Sequence, residues 1–114
     1  MSKKPKDPIE ELIDFIGSLS GKLNTPKKRE VAKRLLEAFR DHKGTINAYE
    51  MGRKEDGIIF QISRELGTSY VYAYEVLREL IDIGIIAKTT TGYQLSPEFR
   101  KRLYRVYKII GNLL

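Results

Sequence analysis

The chain has 114 residues, 41% hydrophobic and 32% charged, with a formal net charge of +6 at neutral pH. That length holds one domain with a single modest core, and that balance excludes a disordered chain. No apolar run approaches the ~20 residues of a bilayer span, no cysteine is present for disulfides or thiolate metal sites, and the positive charge points to an anionic partner, nucleic acid first.

Asn, Gln and Met are scarce beside abundant Lys, Glu, Ile and Tyr. That balance resembles a hyperthermophile's and leans towards an archaeal source. Residues 1–6 read as a flexible basic tail, followed by one expected domain over 7–114. MSKKPKD carries charge without an apolar segment behind it, so no secretory signal is expected, and the expected location is cytoplasmic and nucleoid-associated.

The first predicted helix spans 8–20. Asp7 is its cap, Pro8 takes the first helical position and Glu10 has capping-box spacing. Ile9, Leu12, Ile16, Leu19 and Leu23 step by three and four residues with Ile13 beside them, and Gly21 closes the helix. A second helix, 26–42, has Thr25 as cap and Pro26 as opener. Val31, Leu35, Ala38 and Phe39 form its buried stripe, and Gly44 ends it. Lys27, Lys28, Arg29, Lys33 and Arg34 crowd its first half. Cations there oppose the helix dipole, so they serve something other than helix stability. Phosphate contact is one reading; a solvated face is the other.

Residues 45–56 are the least legible: GTINA reads as a short strand and AYEMGRK as a helical turn. Asp56 reads as the cap of a helix over 57–66, with Ile58, Ile59, Ile62 and Leu66 on one face and Gly67 as its stop. Ser69 then caps a helix over 69–83. Its YVYAY start alternates like a strand, but Ala73, Val76, Leu77, Leu80 and Ile83 keep helical period for four turns, which decides for helix. Ile85–Lys88 and Tyr93–Leu95 are two β-prone runs joined by TTTG, with Gly92 as the permissive turn residue. Ser96 and Pro97 open a last helix over 97–114, whose Phe99, Leu103, Val106, Ile110 and Leu113 step by four and three.

A helical wheel on 69–83 turns Ala73, Leu77 and Leu80 inward and Val71, Tyr74, Glu75, Arg78 and Asp82 outward. Tyr70 falls on one flank and Tyr72, partly buried, on the other. Tyr70 and Tyr74 are the pair read as facing a ligand, with packing around a small core as the competing reading.

Helix, short strand, helix, three-residue turn, helix and hairpin follow in that order. The stretch ISRELGTSYVYAYEVLRELIDIGIIAK…GYQLS, with Gly67, Ser69, Leu77, Leu80, Gly84, Ile85, Ile86 and Leu95, resembles the winged helix-turn-helix family. The match is good over 57–96 and plausible over 26–96. The arrangement with a helix after the wing resembles small archaeal winged-helix proteins and PadR-like regulators. The resemblance implies a mainly α fold with a small β-hairpin wing and flanking N- and C-terminal amphipathic helices. It implies that the outer face of 69–83 enters a DNA major groove. The expected DNA-binding set is Ser69, Tyr70, Val71, Tyr74, Glu75, Arg78 and Lys88, with Lys27, Lys28 and Lys33 on phosphates. Family members of this style dimerise through a helix after the wing, so Phe99, Leu103, Val106, Ile110 and Leu113 are the expected dimer interface. Their heptad-like spacing points the same way, and a helix folded back on its own domain is the competing reading.

Between Thr68 and Leu95 the chain has Arg78 and Lys88 against Glu75, Glu79 and Asp82, so the reading unit is slightly acidic and the phosphate clamps must come from flanking elements. The expected function is that of a dimeric double-stranded-DNA-binding protein, most simply a transcriptional regulator. A partition or chromatin-type protein that spreads on DNA is a variant, and a protein–protein adaptor is the rival. No catalytic residue, cofactor, metal site or membrane contact is expected. His42 is the only histidine, no nucleophile–base pair exists, and Gly52 and Gly57 lack the Lys-Ser/Thr of a phosphate loop.

Overall fold

The computed structural model describes residues 7–53 and 55–114, so the expected tail at 1–6 lies outside the described residues. The fold is mainly α, with five helices and a small three-stranded antiparallel sheet. The helices are α1 (Pro8–Ser20), α2 (Pro26–Asp41), α3 (Ile58–Leu66), α4 (Tyr70–Ile83) and α5 (Pro97–Leu113). The strands are β1 (Thr45–Asn47), β2 (Ile86–Lys88) and β3 (Gly92–Leu95), in the order β1-β3-β2. Between β1 and α3, Tyr49–Arg53 form a π-helical turn whose Met51 is fully buried.

Side-chain caps set the helix starts. Asp7 accepts from the Ile9 N–H, Thr25 from Lys28, Ser69 from Tyr72 and Ser96 from Phe99. Each satisfies a donor that the first turn leaves orphaned, worth about 1 kcal/mol. Two expected caps differ. Glu10 does not close a capping box; its carboxylate reaches Lys33 Nζ at 2.6 Å. Asp56 does not cap α3, whose N-cap is Gly57 with no side-chain bond. Instead the Asp56 carbonyl accepts from Gln61 and its carboxylate pairs with Arg64 at 3.0 Å.

The core lies among α1, α2, α3, α4 and the inner face of the sheet. Phe39, Leu35 and Val31 of α2 meet Ile59 of α3, Leu77 and Leu80 of α4, and Ile46 and Ile86 of the sheet, all essentially inaccessible. Burying each such side chain contributes about 1.5–3 kcal/mol. On α1 the expected stripe is rotated: Ile13 and Ile16 are buried, whereas Leu19 is 72% exposed. Leu23 is not helical at all. It sits in the α1–α2 connection at φ 53° and is completely buried. Helical spacing therefore placed it on the right core from the wrong element.

The hairpin is tight. The Thr89 N–H donates to the Gly92 carbonyl at 2.8 Å and the Gly92 N–H to Thr89 Oγ1 at 3.0 Å. Gly92 is not needed for a left-handed turn. It pairs with Asn47 of β1, and a β-carbon there would meet the backbone of Ile46, Asn47 and Ala48, with Asn47 Cα at 2.6 Å. Close approach of two strands, not turn conformation, demands glycine at this position.

α5 is the element least tied to the rest. It has no buried residue. Phe99 at its start is half-buried beside Gly84, and Leu103 is half-buried one turn on. Beyond them Val106, Tyr107, Ile109, Ile110 and Leu113 are exposed, Leu113 by 79%. α1, by contrast, packs its apolar face on α2 within the same chain. No helix among the described residues is long and apolar enough to cross a membrane.

Candidate nucleic-acid interface

α3 ends at Gly67, which takes the left-handed conformation at φ 65°, and α4 begins three residues later. Only glycine adopts that backbone without a Cβ penalty, so the reversal between the helices is written into this residue. The Thr68 N–H donates to the Ser63 carbonyl at 2.9 Å and fixes the turn. Ser69 then spends its hydroxyl on the Tyr72 N–H at 3.1 Å.

The three tyrosines of α4 dock on three different elements. Tyr70 lays its ring against Phe60 of α3, centroids 5.2 Å apart and tilted 41°, while staying 50% exposed. Tyr72 is half-buried as expected, its hydroxyl 3.3 Å from Thr25 Oγ1 at the start of α2. Tyr74 departs from its expected outward position. It is half-buried against the core, its hydroxyl fills the space that a side chain on Gly52 would need, and it lies beside Tyr93. Burial first, and the neighbouring Tyr93 second, push its phenol pKa up. The outer strip of α4 is therefore Val71, 61% exposed, with Glu75, Arg78 and Asp82.

Glu79 occupies a central position that the sequence reading left without a role. Its Oε1 accepts the backbone N–H of Leu23 at 3.0 Å, and its Oε2 lies 2.8 Å from Lys28 Nζ. Burial raises its pKa, but the Lys28 ammonium and the Leu23 N–H outweigh burial and hold the carboxyl below its ordinary range. The bond to Glu79 in turn raises the pKa of Lys28. A glutamate beside Leu80 on a helix flank gives no sequence signal for such a contact, because its partners lie more than fifty residues away.

The α2 cations are not free phosphate clamps. Lys28 is paired with Glu79, Lys33 with Glu10 and Arg34 with Glu65. Lys27 donates to the Leu66 carbonyl at 3.1 Å, and Arg29 Nε to the Leu23 carbonyl at 3.0 Å. The cluster that looked like a DNA-binding patch stitches α2 to α1, α3 and α4. Among the described residues, the cationic side chains with no such partner are Lys43, Arg53, Arg78, Lys88, Arg100, Arg102 and Arg105. Lys88 ends β2 opposite Tyr93 and is exposed. Lys108 lies 5.5 Å from the Tyr104 ring centroid on its own helix. Arg78 and Lys88 thus remain available, whereas Lys27, Lys28 and Lys33 are engaged.

Comparison with protein-family models, with curated proteins and with solved structures gives no match. What the site can do rests on its own geometry.

Two grooves flank the helices. One, about 340 Å³, runs between α2 and α3 past Arg34, His42, Gln61 and Glu65. The other, about 270 Å³, lies between α1 and α2 past Glu10, Arg29 and Lys33. Both are crossed by ion pairs. Among the described residues no group of three or more His, Asp or Glu side chains is placed to hold a metal ion.

Proposed function

We propose that the chain is a winged helix-turn-helix protein that binds double-stranded DNA as a homodimer, most simply as a transcriptional regulator. The observation that carries this reading is the unit from Ile58 to Leu95. α3 and α4 are joined through Gly67, α4 keeps Tyr70, Val71, Glu75 and Arg78 accessible on one side, and the β2–β3 hairpin follows directly. In this reading α4 enters the major groove, the hairpin lies beside it, and the accessible cations meet phosphates. The apolar stripe of α5, half-buried at Leu103 and exposed at Val106, Ile110 and Leu113, is covered by a second copy. A two-fold dimer then presents two α4 helices to a palindromic site. The reading requires no cofactor.

Footprinting on genomic DNA across protein concentrations tests it. A discrete symmetric site supports the regulator. A site that widens with concentration supports a partition or chromatin-type protein, and no protection at low salt removes DNA binding altogether.

A second reading, a winged-helix adaptor for another protein, is favoured by one observation. The α2 cations are paired internally, and the outer strip of α4 carries Glu75 and Asp82 against Arg78. Such a strip repels a phosphate backbone as readily as it attracts one.

A further inference from the structure

The outer strip of α4 is divided by charge. Its flank towards α2 carries Glu75 and Glu79, and the field of both reaches Lys28. Its opposite flank carries Tyr74, turned towards Gly52 and Tyr93. Three cations that make no ion pair among the described residues surround that second flank. Arg78 follows Tyr74 by one helical turn, a separation that places Cβ atoms about 5–6 Å apart. Lys88 stands directly opposite Tyr93 in the β2–β3 ladder, where facing Cβ atoms are about 4.5–5.5 Å apart. Arg53 adjoins Gly52, the residue against which the Tyr74 hydroxyl lies.

Each of the three is exposed. They come from three separate segments, the π-helical turn, α4 and β2, which meet where Tyr74 lies against Gly52 and beside Tyr93. Of the acids nearby, Asp56 is held by Arg64, Asp82, one turn beyond Arg78, pairs with Lys22 at 3.8 Å, and Glu50 has a partner of its own. Glu75, one turn before Arg78, faces the α2 side, and Glu55 is exposed.

We infer that Arg53, Arg78 and Lys88, gathered around the Tyr74 and Tyr93 phenols, form a binding notch for the phosphodiester backbone of DNA. The inference deepens the DNA-binding reading and rests on it. It moves the phosphate clamp from α2, where the cations are consumed, to the seam between α4, the hairpin and the π-helical turn. The phenols give the notch a neutral, partly desolvated floor on which a phosphate keeps more of its attraction to the rim cations than it would in water. Tyr74 then serves as floor rather than as a base-reading side chain, which agrees with its half-buried position.

The test is fluorescence anisotropy of the full chain with two short duplexes of different base composition, titrated with salt. Arg53→Gln and Lys88→Gln are each expected to weaken binding several-fold on both duplexes and to lower the log–log salt slope by about one. The double variant Glu10→Gln/Lys33→Gln, which keeps the net charge and removes an α2 pair, is expected to keep the wild-type slope. Circular dichroism melting of each variant keeps folding separate from binding. Wild-type slope and affinity in both Arg53→Gln and Lys88→Gln overturn the notch while leaving DNA binding intact. Absence of duplex binding by the wild type at low salt overturns the DNA-binding reading and the notch together.

Discussion

The Glu79 carboxylate on α4 holds the backbone N–H of Leu23 at 3.0 Å and the Lys28 ammonium at 2.8 Å. One side chain thereby fastens the helix proposed to read DNA to both the α1–α2 connection and α2. Leu23 is the residue that most needs this hold, since it is fully buried in a left-handed backbone conformation that a leucine rarely adopts.

Glu79→Gln is expected to cost about 1–2 kcal/mol at neutral pH, because the amide oxygen still accepts from Leu23 but the ion pair to a partly exposed lysine is lost. The pH dependence has a definite sign. The folded pKa of Glu79 is depressed, so its contribution is present above the unfolded value near 4.5 and is lost as pH falls through the folded value. The pKa of Lys28 is raised above 10.5, so its contribution is present below that value and is lost as pH climbs through the folded one. Urea unfolding of wild type and variant from acid to neutral pH checks this: the gap between them should close towards low pH.

Tyr74→Ala is expected to destabilise the fold, because the ring packs on the core and covers Gly52. Leu77→Ala, at a fully enclosed site, should cost roughly 2–5 kcal/mol. Tyr70→Ala and Val71→Ala should instead leave the melting temperature nearly unchanged and lower discrimination between duplexes, by roughly 1–3 kcal/mol for a residue that touches bases. Thermal melts paired with competition binding separate the two classes.

Gly92→Ala should be among the most damaging single-methyl changes, since the added carbon meets the β1 backbone rather than a movable side chain. A loss of about 1–3 kcal/mol or more is expected from such overpacking. Hydrogen exchange should show the β1–β3 amides losing protection before those of α2.

Ile110→Asp should convert a dimer into a monomer and weaken DNA binding, while the unit from Ile58 to Leu95 keeps its fold. Sedimentation at micromolar concentration reads the mass. A wild-type monomer would remove the dimer and the palindromic site from the account.

Much of this architecture is legible locally. Asp7-Pro8, Thr25-Pro26 and Ser96-Pro97 mark helix starts, and the period of Ala73, Leu77 and Leu80 identifies YVYAY as helix despite its alternation. What stays hidden depends on distant partners. β1 is three residues long and becomes a strand only by pairing with β3, far along the chain. Leu23 obeys helical spacing yet lies beyond the helix. The cations of α2 carry the composition of a DNA-binding patch, and nothing local announces that Glu10, Glu65 and Glu79 neutralise them. The exposed side of α4 follows the helical wheel at Val71, Glu75, Arg78 and Asp82 and departs from it at Tyr74, whose environment is set by Gly52 and Tyr93.

The most direct test of the account is the affinity of the wild-type chain for duplex DNA as a function of salt. With about four to six phosphates engaged per protomer, the account predicts saturable binding whose log affinity falls with log salt at a slope of roughly −4 to −5 per protomer. Undetectable binding at low ionic strength, or an affinity indifferent to salt, would contradict it.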